Sequence, residues 1–543
     1  MPSPPPPPPF VSAAGAVDAS AVARDMLKFI DASWTQFHAV AAAASRLEAA
    51  GFVRLSERDS WEGGASTSGP SAVQPGGRYY FTRSGSTLVA FAVGGRAEPG
   101  APFHMVGAHT DSPCLKVKPV SAGAKSGYAM VNVEPYGGGL WTTWFDRDLT
   151  VAGRVLVKKG GGGGGGSRIE ARLVAIDRPL LRVPMLAIHL QRELAEGGFK
   201  PNKQQHLVPV LATAVRKAVE GKREGEEEGG AKKKDEEGDG DAKPAAAPLA
   251  KKHHPALLDL IAKELSVPVG DIVDFDLNVC DTQRGTLGGA EDEFVFVGRL
   301  DNLAMSYCAT AALIDAFGAA GPPGARERLT KETAVKAVAL FDHEEVGSSS
   351  AQGAGGPVMR DAMFRVSRAL AASFSPAAAT AGEGSPPAPA PSSSLGDAAA
   401  RSARSSFLVS ADMAHALHPN YSDRHEPDHK PLFGKGLVIK HNANQRYATD
   451  ALSAALFREV GARSAAFGPI PSQEFCVRSD MGCGSTIGPI LSSGLGVRTV
   501  DVGAPQLSMH SIREMCAVED VSFLKTGGFI FSGFFFGFGS ASF

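Results

Sequence analysis

Short, unbroken apolar runs alternate with helical patterns through most of this chain, and several runs stop abruptly at charged residues. The segment "PFHMVGAHTDSP" (102–113) predicts a strand running into a loop. "TAVKAVALFDHEE" (333–345) and "SSFLVSADMAHA" (405–416) predict buried strands, and "GVRTVDVGAPQLSMHS" (496–511) predicts another that ends in a loop. Between them, "DNLAMSYCATAALIDAF" (301–317) predicts a helix with Leu303, Tyr307, Thr310, Ile314 and Phe317 on one face. Asp301 stands at its start, a favoured capping position. Continuous apolar strands interleaved with helices predict an α/β domain with a mostly parallel sheet, because such strands need cover on both faces.

Three segments break the pattern. "KKGGGGGGGS" (158–167) is a glycine tract, residues 220–248 are charged with almost nothing apolar to bury, and "SPAAATAGEGSPPAPAPSSS" (375–394) is low in complexity. They predict flexible stretches at 158–167, 220–252 and 375–404, with a disordered proline-rich start over 1–15. Elsewhere the hydrophobic content of 43% is enough for a large core. A net charge of −2 gives no overall field to attract nucleic acid or an anionic membrane, and no apolar stretch approaches the roughly 18 residues of a membrane span. The six cysteines are scattered without a CxxC pair, the pattern of reduced thiols. With no secretory or transit signal recognisable at the start, the expected location is cytoplasmic.

The predicted strands end in similar chemistry. One reaches His109 and Asp111, one reaches Glu344 and Glu345, one reaches Asp412, and one runs into the loop carrying His510. Asp301 opens the helix. Ligands of open α/β sheets bind beyond the carboxyl ends of the strands, so these residues would gather on one rim. Two histidines and several carboxylates there form a nitrogen/oxygen site for divalent metal. Singly, each residue has a plainer reading, a helix cap for Asp301 and a turn for Asp412; their joint placement favours the metal. Charge favours a pair of ions: two divalent cations are neutralised by Asp301, Glu345, Asp412 and one hydroxide. Hydrolysis also needs a base beside the ligands, which explains two adjacent glutamates pointing different ways. Asp111, two residues after His109, is placed to orient that imidazole.

Together these residues resemble the aspartyl aminopeptidase family of co-catalytic zinc exopeptidases. The segments that carry the resemblance are "GAHTDSPCLKVKP", "WFDRDL", "AIHLQRE", "GRLDNL", "FDHEEVGS", "SADMAHALHPNY", "QRYAT", "CGSTIGP" and "GAPQLSMHSIREM". One departure is Gly482, where the family pattern has proline. The resemblance implies that His109, Asp301, Glu345, Asp412 and His510 are metal ligands with Asp301 bridging, and that Glu344 is the general base. It implies that His189, His415, Lys440 and Tyr447 contact substrate. The implied fold is a three-layer di-zinc peptidase domain with a mixed, mostly parallel sheet, plus an inserted β-rich dimerisation domain. The expected layout is a catalytic domain over 1–119 and 289–543 with the insertion at 120–288. His109 and Asp301 are indeed separated by more chain than a loop occupies in a compact domain. The implied assembly is a dodecamer built from dimers, in which His189 completes the site of a neighbouring subunit.

The implied activity is hydrolysis of unblocked N-terminal Asp or Glu from peptides, with a hydroxide held by two divalent ions as nucleophile. Zinc is the family's metal, although manganese and cobalt suit the same donors. Two rival readings are a non-catalytic self-assembling cargo particle and a related metal-dependent deacylase or neutral aminopeptidase. Other motifs carry less. His418 in "HALH" reads as structural because Pro419 follows, "GCGSTIG" (482–488) is a glycine-rich turn without an assigned role, and "GFFFGFG" near the C-terminus reads as a buried closing segment or subunit contact.

Overall fold

The computed structural model describes residues 18–62, 72–159, 168–192, 197–213, 248–319, 321, 324–374, 392–462 and 469–533. The chain forms two compact units: residues up to Ser112 join those from Arg284 onward, and Pro113–Gln283 form the other. The inserted stretch expected at 120–288 thus starts and ends earlier: the strand Cys114–Lys125 pairs inside the second unit's sheet, and the strand Thr286–Gly288 belongs to the first unit.

The first unit is built on a nine-stranded mixed sheet. Its spatial order is Val53–Arg54, Arg78–Arg83, Thr87–Val93, Val335–Phe341, Phe103–His109, Phe407–Ala411, Arg498–Gly503, Leu437–His441 and Ser472–Cys476. Four central strands, from Val335–Phe341 to Arg498–Gly503, run parallel. Alternation along them feeds two cores. Val338 and Leu340 pack with the helices Ala19–Ala32, Gln36–Ala49 and Leu300–Phe317, while Ala337, Ala339 and Phe341 pack with Val358–Ser373 and Ile487–Leu495. This is an α/β unit with helices on both sheet faces. The helix Leu300–Phe317 was expected to bury one face, yet nearly all of it is buried. The sheet lies on one side and the helices Ala19–Ala32 and Val518–Gly533 pack on others.

A second, five-stranded sheet joins Thr286–Gly288, Phe294–Val297, Glu514–Ala517, Pro505–Leu507 and Ala414–His415 in that order. It brackets the loop carrying His510 and the chain leaving Asp412, so it shapes the rim. Pro113–Gln283 holds a six-stranded antiparallel sheet, ordered Arg168–Ala175, Leu149–Lys159, Ile272–Asp281, Cys114–Lys125, Tyr128–Tyr136 and Val210–Thr213, and the helix Pro255–Leu265.

Of the stretches expected to be flexible, residues 1–15, 160–167, 220–247 and 375–391 lie outside the described residues, as does Phe534 onward. The ends of three differ from expectation: Lys158 and Lys159 close the strand Leu149–Lys159, Pro248–Lys251 is a 3-10 turn and Ser392–Ser405 is a helix. That helix is seated by buried Ala398 and by Ser402, whose hydroxyl donates to the Ala101 carbonyl at 2.7 Å. Among the described residues no helix is long and apolar enough to cross a membrane.

Candidate metal centre

The parallel strands deliver the polar residues to one rim. His109 ends its strand in register with Phe341 of the next. Asp412 directly follows the strand Phe407–Ala411. Glu344 and Glu345 lie in a 3-10 turn bounded by His343 at φ +64° and Gly347 at φ +95°. Their divergence comes from that turn and not from strand alternation, which is the correction to the sequence expectation. Asp301 differs more. The helix start falls on Arg299, in left-handed backbone, and Asp301 and Asn302 carry non-helical angles. Asp301 is therefore not a helix cap: its carboxylate faces two imidazoles. The segment is tied to the rim by Ser112, whose hydroxyl donates to the Asp301 carbonyl at 2.7 Å, and by Asn302, whose amide donates to the Ala411 carbonyl at 2.9 Å.

His109 Nε2 lies 3.4 Å from Asp301 Oδ1, 3.5 Å from Asp412 Oδ1 and 3.7 Å from Glu344 Oε2. His510 Nε2 lies 3.6 Å from Asp301 Oδ2 and 3.4 Å from Glu345 Oε2. Two donors on one tetrahedral zinc, each at 2.0–2.1 Å, are about 3.3 Å apart, so this spacing suits a shared ion. Among the described residues, two sets of donors each have their ligand atoms within 4.8 Å of one another: His109–Asp301–Glu345 and His109–Glu344–Asp412. A second observation agrees. Asp301 Oδ1, Glu345 Oε1 and Asp412 Oδ1 are buried without a hydrogen-bond partner among the described residues. Buried carboxylate oxygens are rarely left so, and a cation satisfies them.

Electrostatics points the same way. Burial works against charging His109, but Glu344, Asp111, Asp301 and Asp412 outweigh it and hold the imidazole well above its ordinary value. Burial pushes Glu344 up to about 8; Asp412, Asp111 and Asp301 add to this against the pull of His109. Burial, then Asp301, raises Glu345 well above the carboxylate range. Asp301 moves oppositely: burial would raise it, yet His109 and His510 hold it well below. The protein alone must balance this cluster with bound protons, whereas divalent cations balance it without them.

A family model described as Aminopeptidase I zinc metalloprotease (M18) matches residues 29–535. The chain belongs to the M18 aminopeptidase family. It is thus a metal-dependent aminopeptidase of a zinc family, and its donor set fits that metal. It is 50% identical over 500 residues to a probable aspartyl aminopeptidase of Ricinus communis, covering 92% of both chains. It is 45% identical to an aspartyl aminopeptidase of Dictyostelium discoideum, covering 92% of this chain and 94% of that one. Among solved structures, a chain in the cryo-EM structure of the Ape4 and Nbr1 complex matches with TM-score 0.78 and 39% identity, covering 97% of this chain and 87% of that one. The S. cerevisiae mApe1 dodecamer matches with TM-score 0.71 and 29% identity, covering 95% and 96%.

Around the M18 centre the remaining expected residues take distinct places. Asp111 does more than face His109, whose Nδ1 is 3.0 Å from the Asp111 carbonyl and 3.4 Å from its carboxylate. Its two carboxylate oxygens also accept the Glu344 and Glu345 N–H groups at 3.2 and 3.1 Å, fixing the glutamate turn. Lys440 is 2% exposed, with Nζ 3.4 Å from Asp412 Oδ2 and 5.3 Å from the centre of the Tyr447 ring. Although it sits on a strand, Lys440 is thus not a solvated lysine. Tyr447 is buried and packs beside Phe475, whose ring also meets the exposed His415 edge-on. His189 lies in the second unit, exposed in the 3-10 turn Ile188–Leu190. His418 accepts from the Asn420 N–H at 3.2 Å, a local turn contact.

Three residues escaped the sequence reading. Glu514 accepts the Asp301 and His510 N–H groups at 3.1 and 2.7 Å. Asp501 accepts from Thr486 Oγ1 and the Ala448 N–H, both at 2.6 Å, and so joins the glycine-rich turn to the loop carrying Tyr447. Thr486 also caps the helix Ile487–Leu495. Glu514 stands four residues after His510 and inside the segment "GAPQLSMHSIREM" that carries the family resemblance, the two signals that could have drawn attention to it.

Proposed function

We propose that this chain removes unblocked N-terminal aspartate and glutamate from peptides at a centre for two zinc ions. In this reading His109, Asp301 and Asp412 hold one ion, and Asp301, Glu345 and His510 hold the other. The observation that carries it is the orientation of Asp301, whose two oxygens face different imidazoles at 3.4 and 3.6 Å. A carboxylate so placed is suited to bridge.

Zinc, when bound, polarises the scissile carbonyl and makes a water acidic enough to deprotonate near neutral pH. Glu344 accepts that proton and returns it to the leaving amine. Its contact to His109 is the longest of the three at 3.7 Å, which suits a base beside the ligands better than a ligand. Asp111 holds the Glu344–Glu345 turn by its backbone. Lys440 supplies a buried cation for the substrate's acidic side chain, with Tyr447 and His415 beside it; charge-assisted bonds in such a pocket favour carboxylate over neutral groups. The aspartyl aminopeptidase relatives support the same substrate class.

The second unit serves dimerisation in this reading, and His189 completes the site of a neighbouring copy within a dodecamer. Support comes from the apolar residues around His189: Leu186, Ile188 and Leu190 are 51%, 59% and 73% exposed, more apolar surface than an isolated unit gains from. The dodecameric relative supports the assembly. Six cysteines without disulfides suit the cytoplasm.

Aminoacyl substrates starting with Asp, Glu, Leu and Arg, assayed before chelation, after it and after zinc is restored, test the function. Turnover of Asp and Glu substrates should vanish and return. Equal turnover of all four, or turnover insensitive to chelation, would overturn the reading.

A further inference from the structure

Glu514 has no role in the scheme above, yet it touches two of its ligands. It opens the strand Glu514–Ala517 of the five-stranded sheet and is 2% exposed. Oε2 accepts the N–H of Asp301 at 3.1 Å, and Oε1 accepts the N–H of His510 at 2.7 Å. Both backbone segments need such restraint. Asp301 sits where helical angles fail, with no intrahelical acceptor for an N–H so near the helix start. His510 stands at φ +64°, left-handed backbone that a histidine adopts only when its surroundings impose it. Asp301 and His510 come from distant parts of the chain, so their spacing depends on whatever spans them after folding. Glu514 spans them with one rigid planar group, each of whose two oxygens accepts one of these N–H groups.

We propose that Glu514 is a positioning residue for the zinc ion on the His510 side. It sets the distance between the Asp301 and His510 side chains by holding both main chains. This inference rests on the two-zinc reading above. His109 and Asp412 are placed differently, by the ends of paired parallel strands, so the two ions should differ in their dependence on Glu514.

Glu514→Gln keeps the shape of the side chain but can accept only one of the two N–H groups, leaving an amide donor against the other. The full chain is stripped of metal by chelation and titrated with zinc against a chromophoric competitor. In the variant one zinc equivalent should bind about 10–100-fold more weakly, the range for partners that orient metal ligands, while the other changes by less than about threefold. Excess zinc should restore most of kcat on an N-terminal Asp substrate. Unchanged zinc affinities in a variant of lowered Tm would overturn the proposal, because Glu514 would then only stabilise the fold. Should Glu514→Gln fail to fold, Glu514→Asp carries the test: it keeps two acceptors on a shorter arm, weakened binding of one equivalent is expected, and wild-type affinity overturns the inference. Asp301→Asn separates the two levels. If it also keeps both equivalents, the two-zinc reading fails; if it loses zinc while Glu514→Gln does not, only the role of Glu514 fails.

Discussion

Glu344 and Glu345 are neighbours in sequence with different surroundings. Glu345 faces His510 and is almost fully buried, whereas Glu344 faces His109 and keeps some contact with solvent. Glu344→Gln should therefore retain zinc and lose at least about 100-fold in kcat, the lower range for a general base. Glu345→Gln should lose zinc itself, which metal analysis of the purified variants reads directly. Lys440 is the second residue-scale test. Lys440→Met keeps the buried stem and removes the charge, so kcat/KM for an Asp substrate should fall roughly 10-fold or more, the size of a hydrogen bond to a charged group, while a Leu substrate changes little. Equal losses on both substrates would remove Lys440 from acid recognition. The charged residues at strand ends were legible in sequence because apolar runs stop at them. The burial of Lys440 was not, since no local pattern separates a lysine under a tyrosine ring from one in water.

The glutamate turn matters at the scale of elements. Gly347 closes it at φ +95°, and an added Cβ would meet nothing within 4 Å. The cost of Gly347→Ala is thus backbone strain alone, about 1–2 kcal/mol. It should lower Tm and reduce kcat together, because the turn aims both carboxylates. Another element-scale test lies at the start of the helix Val518–Gly533. Asp520 is fully buried, and its carboxylate accepts the Gly434 N–H at 3.0–3.1 Å. Burial pushes it up to about 7, with Glu519 adding to the rise against the Gly434 and Gly436 N–H groups. The folded state therefore holds a proton that the unfolded chain releases near pH 4. Between about pH 4 and 7 the folded form binds more protons, so this group's contribution to stability is full at the acid end and is lost as pH rises. Asp520→Asn removes the titration, and the stability of the variant relative to the parent should climb across that window in denaturant titrations. A flat difference would contradict the assignment. The strands and the long helix were readable from periodicity. The break at Asp301 and the 3-10 turn were not, because both depend on contacts with segments distant in sequence, such as Ser112 and Asp111.

For the whole molecule, a domain interrupting the ligand series was legible from the chain length between His109 and Asp301. Its boundary was not, because the strand after Asp111 reads the same whichever sheet it joins. The five-stranded sheet that carries Glu514 was also hidden, being made of strands too short to show a period. In the two-zinc reading proposed above, zinc ties these levels together, since the proposed ligands come from both sides of the insertion. Chelation should lower Tm, by an amount reflecting about 2.7 kcal/mol per site when free zinc stands 100-fold above Kd. Light scattering should find an assembly near twelve times the chain mass; full activity in a monomer at every concentration would exclude a shared site at His189. The most direct measurement is anomalous diffraction at the zinc edge from crystals grown with zinc. Two peaks are expected, one between His109 and Asp412 and one between His510 and Glu345, with Asp301 touching both. A single peak, or two peaks that Asp301 does not join, would contradict the two-zinc centre.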